Sequence, residues 1–166
     1  MKSLDEQMSI YAAYHRDRRN KATHFVGVPA IVFAILIPMS WVDFGVGVNL
    51  ARVFVAAVLI YYFVLDVPLA AAAAVAVAAL LFAAEQVAAG SALAGWIWFG
   101  TFFAGGWAFQ LVGHAFEGRK PALADNLFQI FVAPIFLCAE LFFALGYKPK
   151  LHATVQERAL RLRAAG

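Results

Sequence analysis

Residues 50–89 read LARVFVAAVLIYYFVLDVPLAAAAAVAVAALLFAAEQVAA, which is two long apolar runs separated by one short break. The runs, residues 50–65 and 69–89, each approach the length that an α-helix needs to cross a hydrocarbon core. Asp66 and Pro68 interrupt them, because proline disfavours continuation of the preceding helix. The stretch therefore predicts two consecutive membrane helices and sets the architecture of the chain.

The rest of the chain contains three more apolar segments. Residues 25–42 and 93–112 are further apolar segments, and residues 127–146 form a fifth that contains Pro134. Hydrophobic residues make up 64% of the 166 positions, more than a water-soluble domain of this size buries. We therefore predict an all-α, polytopic integral membrane bundle of four to five hydrophobic segments, preceded by an amphipathic helix over residues 4–22.

We expect a single membrane domain over residues 1–166. Its expected parts, in chain order, are an interfacial segment (1–24), four membrane helices (25–112), a polar site segment (113–126), a fifth hydrophobic segment that crosses or re-enters the membrane (127–146) and a basic tail (147–166). Full crossing of the fifth segment is disfavoured by Pro134 and Glu140, which weaken it as a simple span. No cleavable signal peptide is expected, because the N-terminus up to Lys21 is polar.

Basic residues are concentrated at the two ends of the chain, and the net charge is +3. Because these clusters flank hydrophobic segments, they indicate contact with anionic lipid headgroups and not with nucleic acid. The N-terminal cluster predicts that the N-terminus and the site lie on the cytoplasmic side, at the inner membrane if the source is a bacterium. Cys138 is the only cysteine, which excludes an internal disulfide and a cysteine-based metal site. His152, in the tail, is expected to be a solvated surface residue.

Three of the four histidines stand where apolar segments begin or end, namely His15, His24 and His114. Hydrocarbon offers an imidazole no water to bond, so histidines at membrane depth are candidates for function. Three neutral imidazoles suit iron, zinc or copper. The alternative is a set of interfacial histidines that bond water and headgroups, and sequence spacing alone favours it.

His15 and His24 are nine residues apart, which puts them on opposite faces of an unbroken helix. They can share a ligand only if the helix breaks between them. Asn20 to Thr23 offers such a break, with Thr23 as the cap of a new helix that carries His24 in its first turn. Four crossings then return the chain to the same membrane face, where His114 follows.

The nearby carboxylates have more than one interpretation each. Glu117 lies three residues after His114, on one helical face, and is a metal ligand, an orienting group for a histidine, or a partner of Arg119. Asp66 is a functional intramembrane acid or a helix cap. Glu140 lies within an apolar run, where it hydrogen-bonds a ligand histidine or stays protonated.

Three blocks of residues form a joint pattern over nearly the whole chain. The first block contains Tyr14-His15, Asn20, His24, Gly27 and Pro29. The second contains Trp107, Gln110, Gly113-His114, Phe116-Glu117-Gly118, Pro121-Ala122-Leu123 and Asn126. The third contains Ala133-Pro134, Glu140 and Leu145-Gly146-Tyr147. Together the blocks resemble the membrane 2-hydroxy fatty acid dioxygenases, a family with fungal and bacterial members.

The resemblance implies an Fe(II)-dependent enzyme that uses O2 to remove the carboxyl carbon of a 2-hydroxy fatty acid. It implies that the catalytic metal ligands are His15, His24 and His114. The residues expected to orient the ligands or to add one are Asn20, Glu117, Glu140 and Asp66. One arginine is expected to bind the substrate carboxylate through the paired hydrogen bonds of its guanidinium, and the candidates are Arg16, Arg18, Arg19 and Arg119.

Two other classes of protein fit the residues without the resemblance. One is a small non-catalytic membrane scaffold or lipid-binding protein whose histidines are interfacial. The other is a zinc-dependent membrane hydrolase. Metal analysis separates the three, since stoichiometric iron indicates the oxygenase, zinc alone the hydrolase, and no metal the scaffold. The expected partners are a 2-hydroxy fatty acid, O2 and membrane lipid, and the oligomeric state is left open.

Overall fold

The computed structural model describes residues 2–118 and 128–165. Within these residues the chain forms seven α-helices and one short antiparallel β-hairpin. In chain order they are α1 (Leu4–Ala13), α2 (Arg18–Ser40), β1 (Asp43–Gly45), β2 (Val48–Asn49), α3 (Leu50–Leu65), α4 (Val67–Ala88), α5 (Ala92–Glu117), α6 (Gln129–Ala144) and α7 (Pro149–Ala165). The predicted all-α class is confirmed.

Among the described residues, three helices are long and apolar enough to cross a membrane, namely α2, α4 and α5. Helices α6 and α7 are bent by 118° at the short break between them. The count rises to four if this pair forms one broken span, and stays at three if it forms a re-entrant loop. Helix α3 is apolar but has only 16 residues, fewer than the roughly 20 of a typical span. The prediction of a helical membrane bundle is confirmed, and α3 has the predicted bounds of the second segment, residues 50–65.

The described residues divide into two compact units. Unit 1 comprises the described parts of Met1–Phe25 and Gln110–Gly166, and unit 2 comprises Val26–Phe109. The single domain over residues 1–166 stays a prediction.

In unit 2 the turns between helices are set by side-chain caps. Asn49 Oδ1 accepts a hydrogen bond from Arg52 N at 2.9 Å, and Asp66 Oδ1 accepts one from Leu69 N at 3.0 Å. These carboxamide and carboxylate oxygens satisfy backbone donors that the first helical turn leaves unpaired. Of the two interpretations of Asp66, the structure therefore shows the helix cap, because its carboxylate is used at the start of α4 in unit 2.

The core of unit 2 is built from the apolar faces of α2, α3 and α4. Its buried members are Phe33, Leu36, Ile37, Ala51, Val55, Val77 and Ala84. Helix α5 approaches α2 closely at Gly106, where an added Cβ would lie 2.7 Å from Ile31 Cγ1 and 2.9 Å from the Gly27 carbonyl oxygen. Small residues of this kind allow helices to pack closely in a membrane.

In unit 1 the first helix, α1, packs against the last helix, α7, and also against α6. Met8 and Tyr11 of α1, Phe136 of α6 and Val155 of α7 are all buried. The tail is therefore a packed helix with a basic outer face. His152 is half-buried and stacks on Phe143 with ring centroids 4.5 Å apart, so its expected solvation is wrong.

The predicted amphipathic helix over residues 4–22 is wrong in its extent. Helix α1 ends at Ala13 and α2 begins at Arg18, so the break lies before Asn20. The reason is Asp17, whose Oδ1 accepts a hydrogen bond from Arg19 N at 2.8 Å and so caps α2. Thr23 lies inside α2 and caps nothing, because its hydroxyl donates back to the Asn20 carbonyl at 2.7 Å.

The polar site segment expected over residues 113–126 is likewise corrected at its start. Helix α5 continues to Glu117, past the predicted end at Val112. Residues 119–127 lie outside the described part of the chain, and with them the expected site residue Arg119.

The close approach of α5 and α2 can be tested with neighbouring glycines. Gly106→Ala should lower the free energy of unfolding by about 1–3 kcal/mol, because the new methyl group overlaps Ile31 and the Gly27 carbonyl. Gly105→Ala is the matched control, since a Cβ there meets no atom within 4 Å, and it should be neutral or stabilising by up to about 1 kcal/mol. Thermal unfolding in detergent measures both, and equal midpoints would contradict the contact.

Candidate metal centre

His15 lies just after the end of α1 and is held by the last turn of that helix. Its Nδ1 is 2.7 Å from the Tyr11 carbonyl oxygen, and its ring stacks on the Tyr11 ring with centroids 3.9 Å apart and planes 7° apart. A carbonyl oxygen only accepts, so Nδ1 must carry the proton. This bond and the stacking fix both the tautomer and the direction of the imidazole.

His24 is fixed in the same way, nearly two turns into α2. Its Nδ1 is 2.8 Å from the Asn20 carbonyl oxygen, which again assigns the proton to Nδ1. The two remaining nitrogens, His15 Nε2 and His24 Nε2, face each other at 3.1 Å. In the neutral rings both of these nitrogens carry lone pairs.

Two facing lone pairs repel each other unless they share an electrophile, which is a proton or a metal ion. A shared proton is disfavoured here, because burial lowers the pKa of His15 well below its usual range and the neighbouring His24 lowers it further. Neutral imidazoles in fixed tautomers are the form that binds metals. The geometry therefore favours a metal ion over a proton between the two rings.

His114, near the end of α5, completes the group. Its ring centroid is 4.9 Å from that of His15 and 5.1 Å from that of His24, and all three rings are mutually tilted by at least 69°. One ligand nitrogen from each histidine lies within 4.8 Å of the other two, and all three residues are buried. An all-nitrogen set of this kind suits iron, zinc or copper.

Gly113 allows α5 to bring His114 against α2. An added Cβ at this position would lie 2.5 Å from Asn20 Oδ1 and would overlap Thr23 Oγ1. Any side chain larger than hydrogen would therefore push α5 away from the turn of α2 that carries His24. The absence of a side chain at Gly113 thus allows His114 to lie close to His15 and His24.

Glu117 holds the break between α1 and α2. Its Oε2 accepts hydrogen bonds from the backbone N–H groups of Arg16 at 2.9 Å and Asp17 at 2.7 Å, and from Asn20 Nδ2 at 3.3 Å. Its Oε1 forms an ion pair with Arg163 of α7. The carboxylate is 1% exposed and lies outside the group of three ligands. It orients the backbone that carries His15, one of the roles that the sequence left open.

Asn20 bonds to both sides of the same break. Its Nδ2 donates to the Tyr14 carbonyl oxygen at 3.2 Å as well as to Glu117, while its own carbonyl accepts from His24. The backbone of Asn20 thus orients His24. Its side chain bonds to Glu117, which holds the segment that carries His15.

The other expected residues take different partners. Glu140 accepts from Lys21 Nζ with both oxygens at 2.8 Å, so its partner is a lysine and not a ligand histidine. Arg19 is paired with Asp17 at 2.8 Å, and this hydrogen bond lowers the pKa of Asp17 to about 2. Arg16, which follows His15 directly, is exposed.

Two contributors to the centre were missed by the sequence analysis. Tyr11 supplies both the carbonyl and the ring that orient His15, and it could have been noticed as the residue four positions earlier on the same helical face. Arg163 reaches Glu117 from the far end of the chain, and no local pattern in the sequence signals this pairing.

The fold and the site together define a helical membrane protein with a buried cluster of three histidines that could hold a metal ion. The chain belongs to the Mpo1-like family, because the family model described as 2-hydroxy-palmitic acid dioxygenase Mpo1-like matches residues 1–145. A curated relative, 2-hydroxy-palmitic acid dioxygenase MPO1 of Saccharomyces cerevisiae, is 34% identical over 155 residues, which cover 92% of this chain and 87% of the relative. No solved structure matches the chain significantly. The resemblance seen in the sequence is confirmed.

The supporting role of Glu117 predicts separate effects on stability and on metal binding. Glu117→Gln keeps a carbonyl acceptor for the α2 backbone but loses the charge, so the metal-free protein should lose about 1.5–3 kcal/mol of unfolding free energy. Glu157→Gln is the control, since its pair with Arg161 is largely exposed and should contribute no more than about 0.5 kcal/mol. Both variants should bind metal at wild-type stoichiometry. Lost metal with unchanged stability in Glu117→Gln would instead make Glu117 a ligand.

The close contact at Gly113 predicts a specific metal-binding defect. Gly113→Ala should move His114 away from the other two rings and weaken metal affinity by about ten- to a hundredfold, the range seen when the support of a ligand is disturbed. Metal titration of the purified protein measures this, with Gly105→Ala as the control. Unchanged affinity in Gly113→Ala would show that α5 has no need of this close approach.

Proposed function

We propose that the protein is an Fe(II)-dependent dioxygenase that acts on 2-hydroxy fatty acids and releases a fatty acid one carbon shorter. Family membership and the yeast relative support an oxidoreductase of the dioxygenase class that acts on 2-hydroxy fatty acids. The main support for a metal-dependent reaction is the position of three histidines. The lone pairs of His15 Nε2 and His24 Nε2 face each other, and His114 lies beside them.

Iron would be held by His15, His24 and His114, and when bound it supplies a redox centre that activates oxygen and a template for the substrate oxygens. The protein contributes the rest. The carbonyl groups of Tyr11 and Asn20 keep the ligand nitrogens unprotonated, and burial of the three rings limits the access of bulk water.

The overall reaction balances with one molecule of oxygen. A 2-hydroxy acid and O2 give the acid shortened by one carbon, CO2 and water, so that 2-hydroxypalmitate gives a C15 acid. Carbon 2 is oxidised from an alcohol to a carboxyl group while the carboxyl carbon leaves as CO2, a loss of four electrons that reduces the oxygen. No further reductant is required.

Substrate reaches the site from the bilayer in this proposal. The membrane-length apolar helices support a substrate that is itself dissolved in the lipid. Arg16 is the best candidate to attract the carboxylate, because it adjoins His15 and is exposed, whereas Arg19 is paired with Asp17. Guanidinium groups bind carboxylates with two parallel hydrogen bonds. The basic residues near the N-terminus support a cytoplasmic site, which in a bacterium means the inner membrane.

The ligand set can be tested by metal analysis of histidine variants. The wild-type protein should bind one iron, and His114→Ala should lose it while still inserting into membranes, because two ligands remain where three are needed. His152→Ala is the matched control, since this imidazole stacks on Phe143 outside the group, and it should retain the iron. Retention of iron by His114→Ala would remove that residue from the site.

The reaction can be tested by product analysis. Incubation of iron-loaded protein with 2-hydroxypalmitate and O2 should yield a C15 acid, and the C15 acid should be absent under anaerobic conditions. Recovery of starting material alone from the iron-loaded protein would refute the substrate assignment. Stoichiometric zinc with no iron would favour a hydrolase, and the absence of any bound metal would favour a non-catalytic membrane protein.

A further inference from the structure

The end of α5 carries a buried stripe of polar residues and glycine. Gln110, Gly113, His114 and Glu117 are buried, whereas the residues between them face outward. Their spacing of three, four and seven positions defines one face of a helix. Burying polar groups along an apolar helix costs free energy unless each group has a hydrogen-bond partner. A buried polar group without one is therefore a candidate for function.

Three members of the stripe are accounted for by the metal centre. Gly113 allows contact with α2, His114 belongs to the ligand group, and Glu117 holds the start of α2. Gln110 is the fourth, and it is only 7% exposed. Among the residues that the structure describes, its Nε2 has no hydrogen-bond partner. A buried amide donor left without an acceptor is destabilising, because it has lost its hydrogen bond to water and gained none in return.

The position of Gln110 relates this donor to the metal centre. Gln110 lies four residues before His114, which is about 6 Å along the helix and on the same face. It is therefore one turn further into the apolar part of α5 than the ligand. A substrate whose polar head is at the histidines and whose acyl chain extends into apolar surroundings would bring head-group oxygens within reach of the Gln110 side chain.

We propose that Gln110 is a substrate-binding residue that donates a hydrogen bond from Nε2 to an oxygen of the 2-hydroxy acid head group. This proposal rests on the proposed function and gives Gln110 the role of recognising the substrate head group. The head group offers carboxylate and hydroxyl oxygens, and a carboxylate oxygen is the stronger acceptor. Binding of substrate would then satisfy a donor that has no partner among the described residues.

The experiment measures binding without turnover. Metal-loaded protein in detergent is titrated anaerobically with 2-hydroxypalmitate by calorimetry, and its metal content is determined separately. Gln110→Leu removes the donor, and Gln110→Glu keeps the shape while replacing the amide with a carboxyl group. Gln7→Leu is the control, because Gln7 is an equally buried glutamine of unit 1 whose Nε2 donates to the Lys2 carbonyl at 2.9 Å.

Both Gln110 variants should bind 2-hydroxypalmitate about ten- to a hundredfold more weakly than the wild type, the effect of losing a hydrogen bond to a charged group. Gln110→Glu should be at least as weak as Gln110→Leu, because an ionised carboxylate would repel that of the substrate. Metal content should be unchanged, and Gln7→Leu should bind like the wild type.

Wild-type affinity in either Gln110 variant, or loss of the metal from both, would overturn the assignment of Gln110. The failure of the proposed function is a different result, in which the wild-type protein itself shows no metal-dependent binding of 2-hydroxypalmitate. That result would remove both proposals together.

Discussion

Two imidazole nitrogens face each other inside unit 1, and the lone pairs that both carry in the neutral rings repel each other. His15 and His24 each donate from Nδ1 to a backbone carbonyl, and their Nε2 lone pairs meet at 3.1 Å. Burial opposes the addition of a proton. A divalent metal ion would relieve this repulsion by accepting both lone pairs, and His114 is placed to offer a third.

A short non-helical segment between α1 and α2 makes this arrangement possible, and the carboxylate of Glu117 stabilises that segment. Four residues separate α1 from α2, and Glu117 bonds to two backbone N–H groups within them. An anionic carboxylate at this position also suits the positive end of the α2 dipole. Arg163 neutralises the same carboxylate from α7, so the C-terminal helix contributes to the support of the metal ligands.

Much of the fold could be predicted because it depends on local properties of the sequence. The bounds of α3 follow from a run that is apolar except for Arg52 and that Asp66 ends. The break between His15 and His24 was required by their spacing, but its position was misjudged, because Asp17 and Thr23 are both acceptable caps and only tertiary contacts choose between them. Glu117 makes that choice from about a hundred residues away. Partners of this kind, like Arg163, have no local signature.

Anomalous diffraction at the iron absorption edge, from crystals of iron-loaded protein, would show whether the three distant imidazoles bind one metal ion. We expect one anomalous peak at about 2 Å from a ring nitrogen of each of His15, His24 and His114. A peak bound to other side chains, or rings that turn away from one another in the iron-loaded protein, would contradict it.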